Sequence, residues 1–380
     1  MDVAFLDLSA AYLELRADID QACQRVLGSG RYLHGPENEA FEKEFATYCE
    51  NAYCVTVGSG CDALELSLLA LGIGRGDEVI VPSHTFIATW LAVSKVGAIP
   101  VPVEPDQVTY TLDPGLVEQA ITPRTVAILP VHLYGHPADL DVLRPIAERY
   151  GLAIVEDAAQ AVGARHRGRR IGAGSTAAAF SFYPGKNLGA MGDGGAVVTT
   201  DAALARRIRL LRNYGSTEKY VHEIRGTNAR LDELQAAVLR VKLTHLDEWN
   251  TRRSAVAAIY RAELQGLLGI VTPEPLPWAE PAWHLYVLRA QDRDLVMRDL
   301  EAAGVHTLIH YPTPVHLSPA YADMELRKGA FPIAEALSRE VLSLPIGPHL
   351  STAAANHIVA AIARSSGAKR LGDAGFEVRY

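Results

Sequence analysis

TVAILPVHLYGHPADLDVLRPIAERYGLAIVEDAAQ, residues 125–160, holds a complete strand–helix–strand unit. Its first and last segments are continuous apolar runs, the pattern of strands buried on both faces. The segment between them, LDVLRPIAERYG, has helical spacing. The same alternation extends outward in both directions. EVIVPSHT (78–85) and AIPVPVEP (98–105) lie upstream, and AAFSFYP (178–184) and AVVTT (196–200) lie downstream. CDALELSLLALG, WLAVSKVG and GLVEQAI read as intervening helices. Strand–helix alternation predicts an α/β layer fold around a large mixed, mostly parallel sheet. In such sheets ligands bind beyond the carboxyl ends of the strands, so the polar residues that follow each run are the candidates for chemistry.

The pattern changes after residue 230. RLDELQAAVLRVKLTHLDEWNTRRSAVAAIYRAEL reads as one long or broken helix, with Leu231, Leu234, Val238 and Val241 as a packing stripe. Pro273 to Pro281 marks a loop. WHLYVLRA, a helix near 293–303, HTLIHYP and a last helix near 352–365 predict a smaller α+β unit. The expected division is a large α/β domain over 1–245 and a small C-terminal domain over 246–380. The tail from 365 onward has no apolar period and reads as loosely ordered. No internal repeat is present.

Of the 380 residues 49% are hydrophobic and 21% charged, which excludes intrinsic disorder for the bulk of the chain. Thirty-six basic against forty-four acidic residues leave a net charge of −8, unlike a general nucleic-acid binder. A local basic pocket for a phosphorylated small molecule remains compatible with that balance. No apolar run reaches the ~20 residues of a spanning helix. The start, MDVAFLDLSAAYLELRADID, lacks the basic and apolar regions of a secretory signal. Cys23, Cys49, Cys54 and Cys61 form no CxxC pair and read as buried or incidental thiols. The expectation is a soluble cytoplasmic protein.

Several motifs fail on their own terms. Gly185-Lys186 does not end a P-loop, because Phe180 stands where a glycine is required and Asn187 replaces Ser or Thr. Tyr183 likewise breaks a Ser-x-x-Lys motif. His132 and His136 are four apart, but in a strand-to-loop run with no nearby acid, so no metal site is expected. Three features survive. Gly58-Ser59-Gly60-Cys61-Asp62-Ala63-Leu64 is a small-residue turn entering a helix, an anion cradle or simply an N-cap. Glu156-Asp157-Ala158-Ala159-Gln160 follows a buried strand, placing an acid either on a ligand or on the next turn. Phe180-Ser181-Phe182-Tyr183-Pro184-Gly185-Lys186 carries a lysine from a strand into a loop with Gly189, Gly192, Gly194 and Gly195. Burial there disfavours the ammonium and leaves a nucleophilic amine, against the plain alternative of a surface lysine. A phosphate cradle, a carboxylate and an amine together suit pyridoxal phosphate, and Phe86 supplies a flat apolar face for its ring.

These motifs, with PSHTFIAT, PVHLYG, FSFYPGKNLGAMGDGG and GTNARLDELQAA, make the chain resemble the pyridoxal-phosphate-dependent nucleotide-sugar aminotransferases of the DegT–DnrJ group along nearly its whole length. That resemblance implies the aspartate-aminotransferase-like fold, type I among pyridoxal-phosphate enzymes. It implies that Lys186 forms the Schiff base and moves the proton, that Asp157 pairs with the pyridine nitrogen, and that Gln160 meets the ring hydroxyl. The Gly60 and Cys61 amides and the Ser181 hydroxyl would hold the phosphate, and Phe86 would stack on the ring. Asn228 matches a residue that reaches the phosphate in a neighbouring subunit, which implies a homodimer with shared sites. Tyr183, His310 and Tyr311 are candidate sugar contacts. Tyr183-Pro184-Gly185 before the lysine and Gly192-Asp193-Gly194-Gly195 after it resemble the C3-aminating, desosamine- and mycaminose-type branch. The reaction so implied moves an amino group from L-glutamate to a dTDP-3-keto-6-deoxyhexose for an antibiotic sugar. The alternatives are amination at C4 of a dTDP-4-keto-6-deoxyhexose and a non-catalytic, cofactor-binding regulator.

Overall fold

The structure, a computed structural model, describes residues 1–365 and the backbone of Lys369 and Arg370. Nearly all of the tail expected to be loose lies outside the described residues. In chain order, α1 (Leu8–Glu14), α2 (Arg16–Ser29) and α3 (Pro36–Tyr48) lead into β1 (Tyr53–Val57) and α4 (Gly60–Ala70). Then come β2 (Glu78–Pro82), α5 (Ala88–Lys95), β3 (Ile99–Val103), the single turn α6 (Pro114–Val117), β4 (Thr125–Ile128), α7 (Leu140–Tyr150) and β5 (Ala153–Asp157). A two-residue hairpin, β6 (Arg165–His166) and β7 (Arg169–Arg170), precedes β8 (Ala177–Ser181), β9 (Gly195–Thr199) and α8 (Ala202–Leu211).

Seven of these strands form one sheet in the order β1-β9-β8-β5-β4-β2-β3. Only β9 runs against its neighbours, and every other pairing is parallel. The carboxyl ends of the remaining six strands therefore share one edge of the sheet. The expected runs map onto β2, β3, β4, β5, β8 and β9, and β2, β8 and β9 are buried at every position. Leu140, Leu143, Ile146 and Ala147 of α7 recur at helical spacing, and the last three pack on Ile80, Ile128 and Ile154 of the sheet. On the other face α4 buries Leu64, Leu66 and Leu68 beside Trp90, whose indole N–H donates to the Pro82 carbonyl at 3.0 Å. Each such side chain contributes about 1.5–3 kcal/mol through removal from water.

Downstream lie β10 (Ser216–Glu218), β11 (Val221–His222), α9 (Glu233–Leu243), α10 (Leu246–Leu264), β12 (Leu267–Leu268), β13 (Ile270–Val271), β14 (Ala279–Glu280) and β15 (Tyr286–Ala290). The described elements end with α11 (Arg293–Ala302), α12 (Pro332–Glu340), β16 (Val341–Leu344), α13 (Thr352–Arg364) and β17 (Lys369–Arg370). The helix expected after residue 230 is broken, at Thr244–His245, into α9 and α10. Val238 and its neighbours Leu234 and Val241 pack on Ile19, Ala22 and Val26 of α2, so the stripe is a packing face. Beside it the Glu233 carboxylate accepts the Gly35, Glu37 and Asn38 amides at 2.8–3.0 Å, capping α3 from 196 residues away.

A second, antiparallel sheet has the order β13-β15-β16. Its core joins Tyr260 of α10, Leu300 of α11 and Ile358 of α13, and it also takes in Val3 from the start of the chain. HTLIHYP contributes only the bridge Leu308↔Ser343 there, while VLSL, as β16, pairs along β15. The proline-rich loop includes the two-residue strand β14, which pairs with β6.

Candidate active site

Five segments singled out in the sequence leave the same edge of the main sheet: GSGC after β1, PSHTF after β2, PVHLYG after β4, EDAAQ after β5 and SFYPGK after β8. They surround a cavity of about 640 Å³. Gly60, Cys61, Phe86, Asp157, Gln160, Ser181, Tyr183, Lys186, His310 and Tyr311 all line it. Asn228 does not. It is exposed and pairs through its backbone with Asn213.

Side-chain alternation along β5 sends its two acids to opposite faces. Asp157 points to the cavity, where Thr89 Oγ1 donates to it at 2.9 Å and the Ala159 amide at 3.1 Å. The bond to the Ala159 amide caps the following turn, and the same carboxylate lines the cavity. Burial raises the Asp157 pKa, and the Thr89 hydroxyl and the nearby Lys186 charge oppose that rise. Glu156 faces the other way, 3.1 Å from His132 Nε2 and bonded to the Ser175 hydroxyl. Burial pushes the Glu156 carboxyl up, but the bond and charge of His132, the Ser175 bond and the Arg144 charge together outweigh it and leave the pKa lowered. The expectation that His132 lacks an acid partner is thereby corrected: the partner comes from the adjacent strand, 24 residues on. Among the described residues no cluster of His, Cys, Asp and Glu suits a metal.

Lys186 sits in a turn closed by its own amide donating to the Tyr183 carbonyl at 2.8 Å. Burial lowers its pKa to about 8, against a smaller opposing pull from Asp157. The four following glycines do not give a ligand access, as the sequence suggested. A Cβ at Gly189 would lie 2.3 Å from the Pro184 carbonyl oxygen, and one at Gly194 would lie 2.8 Å from a Leu231 methyl. One at Gly195 would meet the Ser59 carbonyl oxygen at 2.3 Å, and Gly192 faces Gln235. Gly189 and Gly195 let backbone pack on backbone, and Gly192 and Gly194 make room for the Gln235 and Leu231 side chains. Gly60 is different: it lines the cavity, and a Cβ there would come 2.6 Å from Ser181 Cβ. Its absence brings the first turn of α4, with the Gly60 and Cys61 amides, against the end of β8. Amides in a first helical turn have no partner within the helix.

Gln160 is already engaged: Oε1 accepts the Tyr134 amide at 2.6 Å and Nε2 donates to Tyr311 Oη at 3.0 Å. The Phe86 ring, half exposed, lies 5.4 Å from the Tyr311 ring. His310 Nδ1 is 2.8 Å from Ser343 Oγ, and burial lowers its pKa to about 4, so the imidazole is neutral near pH 7. Sequence reasoning missed Thr89, Arg253, His284 and the strip Phe5, Leu6 and Leu8, all but Thr89 lining the cavity. Thr89 lies one helical turn after Phe86, a spacing that could have flagged it. A lone arginine within a helix carries no such signal.

A family model described as the DegT/DnrJ/EryC1/StrS aminotransferase family matches residues 14–363. The chain belongs to this family. A relative from Saccharopolyspora erythraea, named erythromycin biosynthesis sensory transduction protein EryC1, is 78% identical over 362 residues, 95% of this chain and 99% of that one. A dTDP-3-amino-3,4,6-trideoxy-alpha-D-glucose transaminase from Streptomyces venezuelae is 65% identical, with 95% of each chain covered. The crystal structure of S. venezuelae DesV in complex with a ketimine intermediate superposes with a TM-score of 0.94 at 64% identity, covering 95% of this chain and 97% of that one. The fold is type I, and the chain is an aminotransferase whose cofactor is pyridoxal phosphate.

The cavity fits that cofactor. The cradle that a Cβ at residue 60 would fill suits a phosphate at the open amides of Gly60 and Cys61 and the Ser181 hydroxyl. Asp157 would hold the ring nitrogen, and Phe86 offers its face. The lowered lysine pKa has a direct consequence, because the neutral amine is the form that reacts with an aldehyde. Stopped-flow absorbance should show apoprotein capturing pyridoxal phosphate faster as pH rises and levelling off above about 8. An ordinary lysine would still be gaining neutral amine near pH 10. A rate that keeps climbing to pH 10 would contradict the lowered pKa.

Proposed function

We propose that this chain transfers an amino group from L-glutamate to C3 of a dTDP-3-keto-6-deoxyhexose, in the making of an antibiotic deoxyamino sugar. The observation that carries the proposal is the meeting of Lys186, Asp157 and the Gly60–Ser181 cradle in one cavity. The nucleotide and the C3 position follow from the similarity to the trideoxyglucose transaminase, at 65% identity over 95% of the chain. Bound pyridoxal phosphate supplies an electron sink that makes the carbon bearing the amino group acidic. Lys186 Nζ would hold the cofactor, take that proton and return it in the reverse sense when the keto-sugar is aminated. Asp157, kept on the cavity by Thr89, would set the charge at the ring nitrogen. Tyr183, His310 and Tyr311 would orient the sugar, with His310 acting as a neutral hydrogen-bonding group.

The active unit in this reading is a cytoplasmic homodimer, each chain divided near residue 245 into a large and a small domain. The break between α9 and α10 and the separate core around the second sheet support the division. Exposed Asn228, beside exposed Tyr214, Tyr220 and Val221, supports a shared interface. Among the described residues no helix is long and apolar enough to cross a membrane. Asn228→Asp should weaken pyridoxal phosphate retention about tenfold by setting a carboxylate against phosphate. Equilibrium dialysis of the cofactor checks this, and unchanged affinity would contradict a cross-subunit phosphate contact.

The name of the 78% identical relative favours a second reading, a signalling protein that binds the cofactor without turnover. The spectrum of purified holoprotein separates the two. Transaminase chemistry requires the visible band of lysine-bound cofactor to vanish when L-glutamate is added. A band that persists in L-glutamate favours the regulator.

A further inference from the structure

Most arginines of this chain that leave solvent find a carboxylate: Arg212 meets Glu42, Arg170 meets Asp247 and Arg240 meets Glu37 and Glu44. Arg253, on α10, does not. It is only 3% exposed, and no acid lies within salt-bridge distance among the described residues. Nη1 alone is engaged, with long contacts of 3.2–3.4 Å to the carbonyls of Trp283, His284 and Ile346. Nε is buried with no partner among the described residues, and Nη2 makes no hydrogen bond there either. An unpaired buried guanidinium costs several kcal/mol unless something anionic completes it. Burial pulls even its pKa down to about 10.

Its position says where the missing anion would come from. Arg253 lines the catalytic cavity with Lys186 and also lines an adjoining recess of about 300 Å³. The recess is walled in part by Lys242, 6% exposed, whose ammonium donates to the Gly189 carbonyl at 2.6 Å and has no carboxylate partner among the described residues. His284 feels both the Lys186 and the Arg253 charges, which places the two cations around one imidazole. Besides Asp157, two further acids line these spaces. Asp193 is exposed at the cavity rim, and one oxygen of Asp7 accepts the Ser9 and Ala10 amides.

We propose that Arg253 binds a carboxylate of the amino donor, with the Lys242 recess making the site selective for dicarboxylate donors. Arg suits the task because its planar fork matches a carboxylate with two parallel N–H bonds, and Nε and Nη2 are the pair without a hydrogen-bond partner among the described residues. The assignment rests on the aminotransferase reading and adds the residue that recognises the donor. A phosphate of the sugar nucleotide carries the same kind of anionic oxygen, so the test separates the two substrates.

The two half-reactions of holoenzyme are followed separately by cofactor absorbance, with L-glutamate and then with the dTDP-keto-sugar, in wild type, Arg253→Gln and Arg253→Lys. The expected result for Arg253→Gln is a KM for L-glutamate raised about 10- to 100-fold, partly restored in Arg253→Lys, with a much smaller change for the sugar. The preference of wild type for L-glutamate over L-alanine should shrink by a similar factor. An unchanged KM for L-glutamate overturns the proposal. So does a loss confined to the sugar half-reaction, which would assign Arg253 to the diphosphate. Equal losses in both half-reactions with a lowered melting temperature would leave Arg253 a purely structural brace and also overturn it. If wild type itself reacts with no amino donor, the aminotransferase reading fails instead.

Discussion

Lys186→Ala should lose turnover by at least about 10⁴-fold, the upper end of what one proton-transferring side chain supplies. It should also lose the visible absorbance of lysine-bound cofactor. No other lysine among the described residues lines the cavity, so no neighbour stands ready to replace its amine. The turn carrying it is held by backbone bonds, Lys186 to Tyr183 and Ala190 to Phe182, each at 2.8 Å. Removal of the side chain should therefore leave the fold intact, which circular dichroism and a thermal melt would check. A variant that kept more than about a hundredth of wild-type kcat would place the reacting amine elsewhere.

Asp157→Asn is expected to lower kcat by about 10²- to 5 × 10³-fold. The amide keeps the shape of the carboxylate and one acceptor for Thr89, but it removes the negative charge facing the cavity. Breaking one member of a buried charge pair costs about 3–5 kcal/mol, and each 1.36 kcal/mol is a factor of ten in rate. The cofactor should still bind, since the phosphate cradle lies on other residues. Near-normal KM for both substrates with a collapsed kcat is thus the expected signature. A kcat within about threefold of wild type would mean that Asp157 serves only the turn it caps through Ala159.

Much of this site was legible because parallel sheets concentrate it. Strands buried on both faces leave continuous apolar runs, and each polar segment after such a run arrives at one edge. That is why Gly60, Phe86, Asp157, Ser181 and Lys186 could be picked from four separate stretches and still line one cavity. β1 was not legible, since YCVTV lies outside the alternation that defined the other strands and is exposed at its first residue. The opening helices were missed as well. Much of what holds α2 and α3 is contributed by α9 and by the Glu233 carboxylate, contacts that no local window contains. The loop glycines were misread for the same reason, because the atoms they make room for belong to Pro184, Leu231 and Ser59. Arg253 was invisible because its burial depends on the fold, while its spacing within α10 is that of any helical surface residue.

The most direct test of the central claim follows the nitrogen itself. Purified holoprotein is given ¹⁵N-labelled L-glutamate together with a dTDP-3-keto-6-deoxyhexose or, separately, a dTDP-4-keto-6-deoxyhexose, and the nucleotide sugars are examined by NMR. The expected result is ¹⁵N bonded at C3 of the first sugar, with 2-oxoglutarate formed in equal amount. Label at C4 of the second sugar and none at C3 of the first, or no label in either, would contradict it.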